Sequence, residues 1–176
     1  MSILYENVKY FVKEFFTLLA LIDKTKNGYT ATFVRNLDHP REKVWAMLTD
    51  NNQLKKWFPE LRVDELKKGG SFKFDMGDGS FEEMEILGLE QLAILEYTWG
   101  KDIVRFELDD ENSNTQLKLI EKISEITGHT PRDLAGWHVC LDVIGRLLDG
   151  QSIGTRKEEW EKWYEEYKIA VNFVQK

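Results

Sequence analysis

The sequence predicts an α+β fold in which a seven-stranded, curved antiparallel sheet wraps around one long helix near the C-terminus, with extra helices at both ends. Between residues 61 and 123, apolar and polar residues alternate in six short runs that turn residues separate. One further strand is predicted over residues 29–37. From Leu134 to Leu148, apolar residues step by three and four positions, which is typical of an amphipathic helix.

Composition narrows the class of protein. The 176 residues suit one domain, and 42% hydrophobic with 31% charged residues is ordinary for a globular chain. The net charge is −7 and no basic run exceeds two residues, so we expect no nucleic-acid partner. The single cysteine, Cys140, cannot form an internal disulfide, which favours a cytoplasmic location. The apolar run from Phe15 to Ile22 is far shorter than the roughly 20 residues of a membrane span.

The sequence predicts a helix at each end of the chain. Apolar residues recur with helical spacing from Leu4 to Ile22, and Asn27-Gly28 would end this helix. A second terminal helix is predicted from about Thr155 to Val174, with Trp160, Trp163, Tyr164, Tyr167 and Val171 on one face. We therefore divide the chain into an N-terminal helical extension (1–28), a core domain (29–150) and a C-terminal helical extension (151–176). The aromatic-rich terminal helices would also suit a homodimer interface.

Two short helices precede the strands. Pro40 suits a first helical turn, and Val44, Trp45 and Leu48 form the apolar face that follows. Asp50, with Gln53 three residues on, predicts a capping box for the second helix, which Pro59 ends. For the long helix, Thr130 is the expected N-cap and Gly150 the stop.

The chain resembles a known family over about residues 29–150. The similarity rests on Arg35 to Trp45 (RNLDHPREKVW), Leu48-Thr-Asp50, Leu54 to Phe58 (LKKWF) and, further on, on short motifs around Phe72, Tyr97-Thr-Trp99, Gly136-Trp137 and Cys140-Leu-Asp142. In this order they resemble the family of homologues of the activator of the heat-shock-protein-90 ATPase, within the SRPBCC (START-like, Bet v-like) superfamily. The N-terminal helix and the Glu90-Gln91-Leu92 turn depart from the family pattern.

The resemblance implies a helix-grip fold with a ligand cavity between the concave sheet face and the long helix. A single helix cannot fill such a concavity, so the remaining space is either packed by large side chains or left as a pocket. The expected lining residues are Trp57, Phe58, Phe72, Phe74, Met84, Ile86, Tyr97, Trp99, Phe106, Leu108, Trp137, Cys140, Leu141 and Ile144.

Arg35 has two interpretations. It shares a strand face with Phe33 and Leu37, and a buried arginine needs a partner. It either anchors a ligand carboxylate or phenolate or has a purely structural position, as a salt bridge to a glutamate such as Glu85, Glu96, Glu107 or Glu121 or as an exposed residue at the strand edge. The structural interpretation is favoured.

Little in the sequence indicates catalysis. His138 and Cys140 point to different sides of their helix, so we expect no metal site and no cofactor. Glu82, Glu83 and Glu85 could place one carboxyl in the cavity as a general acid or base, although solvated glutamates are favoured.

Three functions follow from these observations. The leading one is non-enzymatic binding of a small hydrophobic molecule, lipid-like or polyaromatic. The second is a chaperone-linked role, although the family's eukaryotic activators carry a large additional N-terminal domain and no chaperone contact is expected here. The third is a cyclase- or lyase-type enzyme that uses a cavity carboxylate.

Overall fold

The computed structural model describes residues 19–176. It contains strands β1 and β2, two short helices, six further strands and two long helices. Their bounds are β1 Leu21–Thr25, β2 Gly28–Leu37, α1 Arg41–Thr49, α2 Asn51–Trp57, β3 Leu61–Val63, β4 Ser71–Asp75, β5 Phe81–Glu90, β6 Ile94–Trp99, β7 Asp102–Glu111, β8 Asn114–Ile123, α3 Thr130–Leu148 and α4 Arg156–Val174.

The strands form one antiparallel sheet of eight strands in the order β1-β2-β8-β7-β6-β5-β4-β3. Strands β3 to β8 form the predicted meander, and β2 then pairs with β8. Phe33, Leu119 and Phe106 are direct cross-strand partners on the concave face. A register shift between Ile86 and Gly88 interrupts the ladder between β5 and β6. The α+β class with a curved sheet and a long helix is therefore confirmed.

The strand count is eight rather than seven because residues 21–25 form β1. The sequence assigned Leu21 and Ile22 to the end of a helix, but Thr25 pairs with Gly28 in a hairpin. This edge strand is mostly exposed, so it lacks the alternation that would reveal it. Residues 4–18 of the predicted helix lie outside the described residues.

Helix α3 is buried on two sides, between the sheet and α4. Leu134, Trp137, Leu141 and Ile144 face the sheet as predicted and are at most 3% exposed. Helix α4 packs on the opposite side through Trp163, Tyr167 and Val171, which are also buried. No helix among residues 19–176 has the length and apolar character needed to cross a bilayer.

The predicted helix caps are only partly correct. The Asp50 side chain accepts a hydrogen bond from the Asn52 amide at 2.7 Å, but Gln53 accepts one from Lys56 instead of completing a capping box. The N-cap of α3 is His129 rather than the predicted Thr130, which is the first helical residue and whose hydroxyl accepts a hydrogen bond from the Thr127 amide. The side chain of Thr155 makes no capping hydrogen bond.

Candidate ligand-binding site

The centre of the concave face is filled by closely packed rings and aliphatic side chains. Phe72 stacks on Tyr97 with centroids 4.6 Å apart, and Phe106 meets Trp137 edge to face at 5.9 Å. Burial raises the pKa of the Tyr97 hydroxyl far above its usual value, so it stays protonated. Seven expected lining residues are therefore packed core, at most 3% exposed: Phe72, Ile86, Tyr97, Phe106, Leu108, Leu141 and Ile144.

An open cleft of about 370 Å³ lies at the side of this core, between the end of α2, the first half of α3 and the start of α4. We call it the mouth cleft. Its aromatic walls bring together residues from α2, β6, α3 and α4, and the centroids of Trp99 and Trp137 are 5.0 Å apart. The ring of Trp57 is held in place because its Nε1 donates to the Met47 carbonyl at 2.8 Å. The aromatic lining residues are Trp57, Phe58, Trp99, Trp137 and Trp160.

The charged side chains of the mouth cleft are three cations, Arg132, Arg156 and Lys157, and two acids, Glu60 and Asp133. Arg156 spans the wall of the cleft: its Nη1 donates to the Trp57 carbonyl at 2.9 Å and its Nη2 to the Cys140 sulfur at 3.3 Å. Burial raises the pKa of the Cys140 thiol to about 11, and nearby Arg156 only partly opposes that shift. The thiol is therefore neutral at physiological pH and is not an activated nucleophile.

A second cleft, of about 400 Å³, lies on the other side of Trp99 and Asp133, and we call it the acidic cleft. Phe74 and Met84, both expected in the cavity, line its apolar side. Four acids, Glu82, Asp102, Glu125 and Asp133, line it together with one lysine, Lys101, and one histidine, His129. Burial raises the pKa of Asp133, while the imidazole of His129 at 3.2 Å opposes this shift and Asp102 adds to it.

Glu121 is a buried acid that our sequence reasoning considered only as a partner for Arg35. It is 1% exposed, and its Oε2 has no hydrogen-bond partner within the described part of the chain. Burial raises its pKa well above the usual value, and the negative charges of Asp133 and Asp102 add to the shift. Its position between Leu119 and Ile123 on β8 placed it on the inward face, which was the available signal.

Arg35 pairs with Asp142 of α3 rather than with a strand glutamate. Its Nε donates to Asp142 Oδ1 at 2.9 Å, and its Nη1 donates to the Val34 carbonyl. The expected glutamate partner was wrong because α3 crosses the sheet at the level of Arg35. Arg35 lines neither cleft and therefore ties β2 to α3 instead of facing a ligand.

His138 is buried, although the sequence placed it off the apolar stripe. Its Nδ1 lies 2.9 Å from the Tyr167 hydroxyl and its Nε2 lies 3.5 Å from Asp142 Oδ2. Burial lowers the pKa of His138 to about 3, so the ring is neutral at physiological pH. The Tyr167 hydroxyl also accepts the Ala20 amide at 2.9 Å. Neither His138 nor Tyr167 lines the mouth cleft or the acidic cleft, so the arrangement is structural.

The strand glutamates considered for catalysis are all exposed. Glu83 and Glu85 lie on the opposite strand face from the buried Met84, whereas Glu82 shares the face of Met84 and lines the acidic cleft. Among residues 19–176, no group of three or more histidine, cysteine or acidic side chains is arranged to hold a metal ion.

Comparison with known proteins decides the family. A model described as "Activator of Hsp90 ATPase homolog 1-like protein" matches residues 38–149, more than half of the chain. The chain belongs to this family. The resemblance to this family that was inferred from the sequence motifs is confirmed. The family match ends before α4, so Arg156, Lys157 and Trp160 of the mouth cleft lie beyond it.

Several solved structures share the fold of this family member. EF2215, a conserved protein of unknown function from Enterococcus faecalis, has a TM-score of 0.80 at 23% identity and covers 88% of this chain and 91% of its own. CalU16 from Micromonospora echinospora has a TM-score of 0.67 at 22% identity, covering 85% and 94%. DynU16, from the dynemicin biosynthetic locus, has a TM-score of 0.59 at 22% identity, covering 68% and 47%. No curated protein matches the chain.

Identities this low show a common fold and no common ligand. The family to which the chain belongs is compatible with the binding of a small ligand.

Proposed function

We propose that the protein is a non-enzymatic binding protein for a small hydrophobic molecule with an aromatic body, held in the mouth cleft. The observation that carries the proposal is the convergence of five aromatic residues, from the end of α2, β6, α3 and α4, on the lining of one open cleft of about 370 Å³. Ligand pockets of this kind are concave, mostly apolar and begin at roughly 300 Å³. The cleft therefore fits a molecule of two or three fused rings better than a long lipid chain.

The packing behind the cleft supports a preformed site. Phe58 contacts Trp99 and Trp137 with centroids 5.8 and 6.0 Å away, so these three rings support one another. A flat ring of a ligand can add to such a cluster without rearranging the core. The packed centre of the sheet leaves the ligand at the edge of the core instead of deep within it.

Titration with 2-naphthamide, a neutral aromatic probe, tests the proposal by calorimetry and by the shift in melting temperature. Trp160→Ala removes a half-buried ring of the cleft, and we expect it to weaken binding roughly tenfold. Phe173→Ala is the matched control, because Phe173 lies on the same helix, is 78% exposed and lines no part of the cleft. Equal affinities of both variants and the native protein, or no binding of any aromatic probe, would contradict the proposal.

An acid–base enzyme is the second candidate function, because Asp133 lines both clefts and has a raised pKa. A raised carboxyl pKa suits a general acid or base. Among the described residues that line the mouth cleft, none carries a hydroxyl or an imidazole that could act with Asp133, and His129, 3.2 Å from Asp133, lines the acidic cleft. Turnover of a cyclisable polyketide-like substrate that disappears in Asp133→Asn would favour the enzyme over the binding protein.

For the chaperone-linked role, we predict that the protein does not bind the heat-shock-protein-90 chaperone. A pull-down with this chaperone at low salt tests the prediction, and capture of the chaperone would favour the chaperone-linked role over ligand binding.

A further inference from the structure

We propose that the mouth cleft selects ligands that carry an anionic group, a carboxylate or sulfonate, and that Arg156 is the residue that binds this group. The inference rests on the proposed function and adds the chemical class of its ligand. It starts from the seven arginines of residues 19–176, of which three form no ion pair with a carboxylate within the described structure: Arg62, Arg132 and Arg156. Two of these three, Arg132 and Arg156, line the mouth cleft.

Arg156 is fixed in a position that suits this task. The carbonyl of Trp57 and the sulfur of Cys140 each accept one of its N–H groups, and both acceptors belong to the cleft wall. These acceptors are neutral, because the Cys140 thiol keeps its proton. The guanidinium therefore retains its full charge and further N–H donors for an acidic ligand group.

Arg156 is the cation of the cleft that hydrogen bonds fix against the wall. The guanidinium of Arg132 lies 5.1 Å from the centroid of the Tyr164 ring, which is outside the lining of the mouth cleft, and the exposed Lys157 at the rim lies 3.8 Å from Glu161. Of the two acids, Asp133 lies 3.2 Å from His129 on the side of the acidic cleft, and Glu60 is exposed at the rim, where water screens its charge. A fixed positive charge thus lies beside the aromatic rings, while acids predominate across Trp99.

This separation of charge favours one orientation of the ligand in the mouth cleft. The aromatic body of the ligand contacts Trp99, Trp137 and Trp160, and its acidic group binds Arg156 at the N-terminus of α4. Charge-assisted hydrogen bonds between a guanidinium and a carboxylate are strong and directional, so they discriminate an acid from its neutral amide.

Three matched probes test the inference by calorimetry at pH 7.5: 2-naphthoic acid, 2-naphthamide and 2-naphthylmethylamine. We expect the acid to bind roughly tenfold more tightly than the amide, and the amine to bind least tightly. In Arg156→Gln the preference for the acid should fall to about one, while the affinity for the amide changes little. Arg62→Gln removes the same charge away from the clefts and should leave the preference unchanged.

The two proposals fail in distinguishable ways. Equal binding of acid and amide, or tighter binding of the amine, overturns the anion selectivity and leaves the proposed function standing. Absence of binding by all three probes contradicts the proposed function itself. If Arg156→Gln does not fold, Arg156→Lys keeps the charge but loses the fork geometry, and a preference for the acid that persists undiminished in this variant would overturn the role of Arg156.

Discussion

The Nδ1 atom of His138 lies 2.9 Å from the hydroxyl oxygen of Tyr167, and this contact joins α3 to α4 inside the protein. The Nε2 atom faces Asp142, so it carries the ring proton, and Nδ1 accepts the proton of the tyrosine hydroxyl. The same hydroxyl oxygen accepts the amide of Ala20, which directly precedes β1. One tyrosine therefore links the last helix to both the long helix and the first strand.

Tyr167→Phe should lower the free energy of unfolding by about 1–3 kcal/mol, because it leaves His138 Nδ1 and the buried Ala20 amide without partners. Urea denaturation monitored by circular dichroism measures the loss. Tyr164→Phe is the matched control on the same helix, since Tyr164 is half-buried and forms no hydrogen bond to residues 19–176 through its hydroxyl. Losses of the same size in both variants would show that the hydroxyl of Tyr167 stabilises nothing.

The stability of the protein should fall in acid because of His138. Its pKa is about 3 in the folded protein against about 6.5 when unfolded, so the unfolded state binds more protons between these values. Stability from the neutral imidazole is therefore complete above pH 6.5 and decreases as the pH falls towards 3, by as much as roughly 4 kcal/mol.

Unfolding free energies measured from pH 4 to pH 7.5 test this dependence. We expect a flatter curve for His138→Gln than for the native protein. The ring resonances of His138, followed by NMR over the same range, are the control, and they should show a neutral imidazole throughout, because its pKa is about 3. A native slope that survives in His138→Gln would assign the acid sensitivity to other groups.

These contacts show where sequence reasoning stops. The apolar stripe of α3 was predictable because its spacing depends only on helical geometry, and its residues Leu134, Trp137, Leu141 and Ile144 face the sheet. The burial of His138 was not predictable, because it requires α4 to pack over α3, and the local sequence spacing does not encode that packing. The choice of Asp142 as the partner of Arg35 depends on the same crossing of helix and sheet.

The residues of the candidate site could likewise be predicted only in part. Aromatic residues on inward strand positions could be named from alternation, yet alternation does not tell packed core from open cleft. Trp57 and Phe58 were predicted near an opening made by the short helices, and both line the mouth cleft together with Trp99 and Trp137, which the sequence assigned to the walls of the cavity. Arg156 was missed because it lies outside the motifs of the family, at the first residue of α4.

Gly28→Ala should destabilise the protein by about 2 kcal/mol or more. Gly28 has a φ of 141°, and a Cβ built on it would lie 2.2 Å from the Ile123 carbonyl oxygen, where β2 meets β8. The contact is with backbone, so it cannot be relieved by rotating a side chain. Thermal unfolding of Gly128→Ala is the control, because a Cβ on Gly128 meets nothing within 4 Å. Similar melting temperatures for the two variants would contradict the close approach of the strands.

Glu121→Gln should stabilise the protein at neutral and alkaline pH. Because the pKa of Glu121 is raised in the folded protein, the folded state favours its proton, and ionisation above the unfolded pKa of about 4.3 costs stability. Native stability should therefore fall as the pH rises through the raised pKa, whereas the glutamine, neutral at every pH, avoids this loss. At pH 8 we expect a gain of about 1–3 kcal/mol, and near pH 4 almost none.

Urea denaturation at pH 4 and pH 8 measures the difference between these two values. Glu125→Gln removes the same charge from an exposed position beside the acidic cleft, so it controls for the relief of long-range repulsion from Asp102 and Asp133. A gain of equal size in both variants would locate the effect in the surface charge. A gain in the free energy of unfolding that occurs only in Glu121→Gln and increases with pH is expected if the carboxyl is buried without a partner. The Oε2 atom of Glu121, which has no hydrogen-bond partner within the described residues, indicates this arrangement.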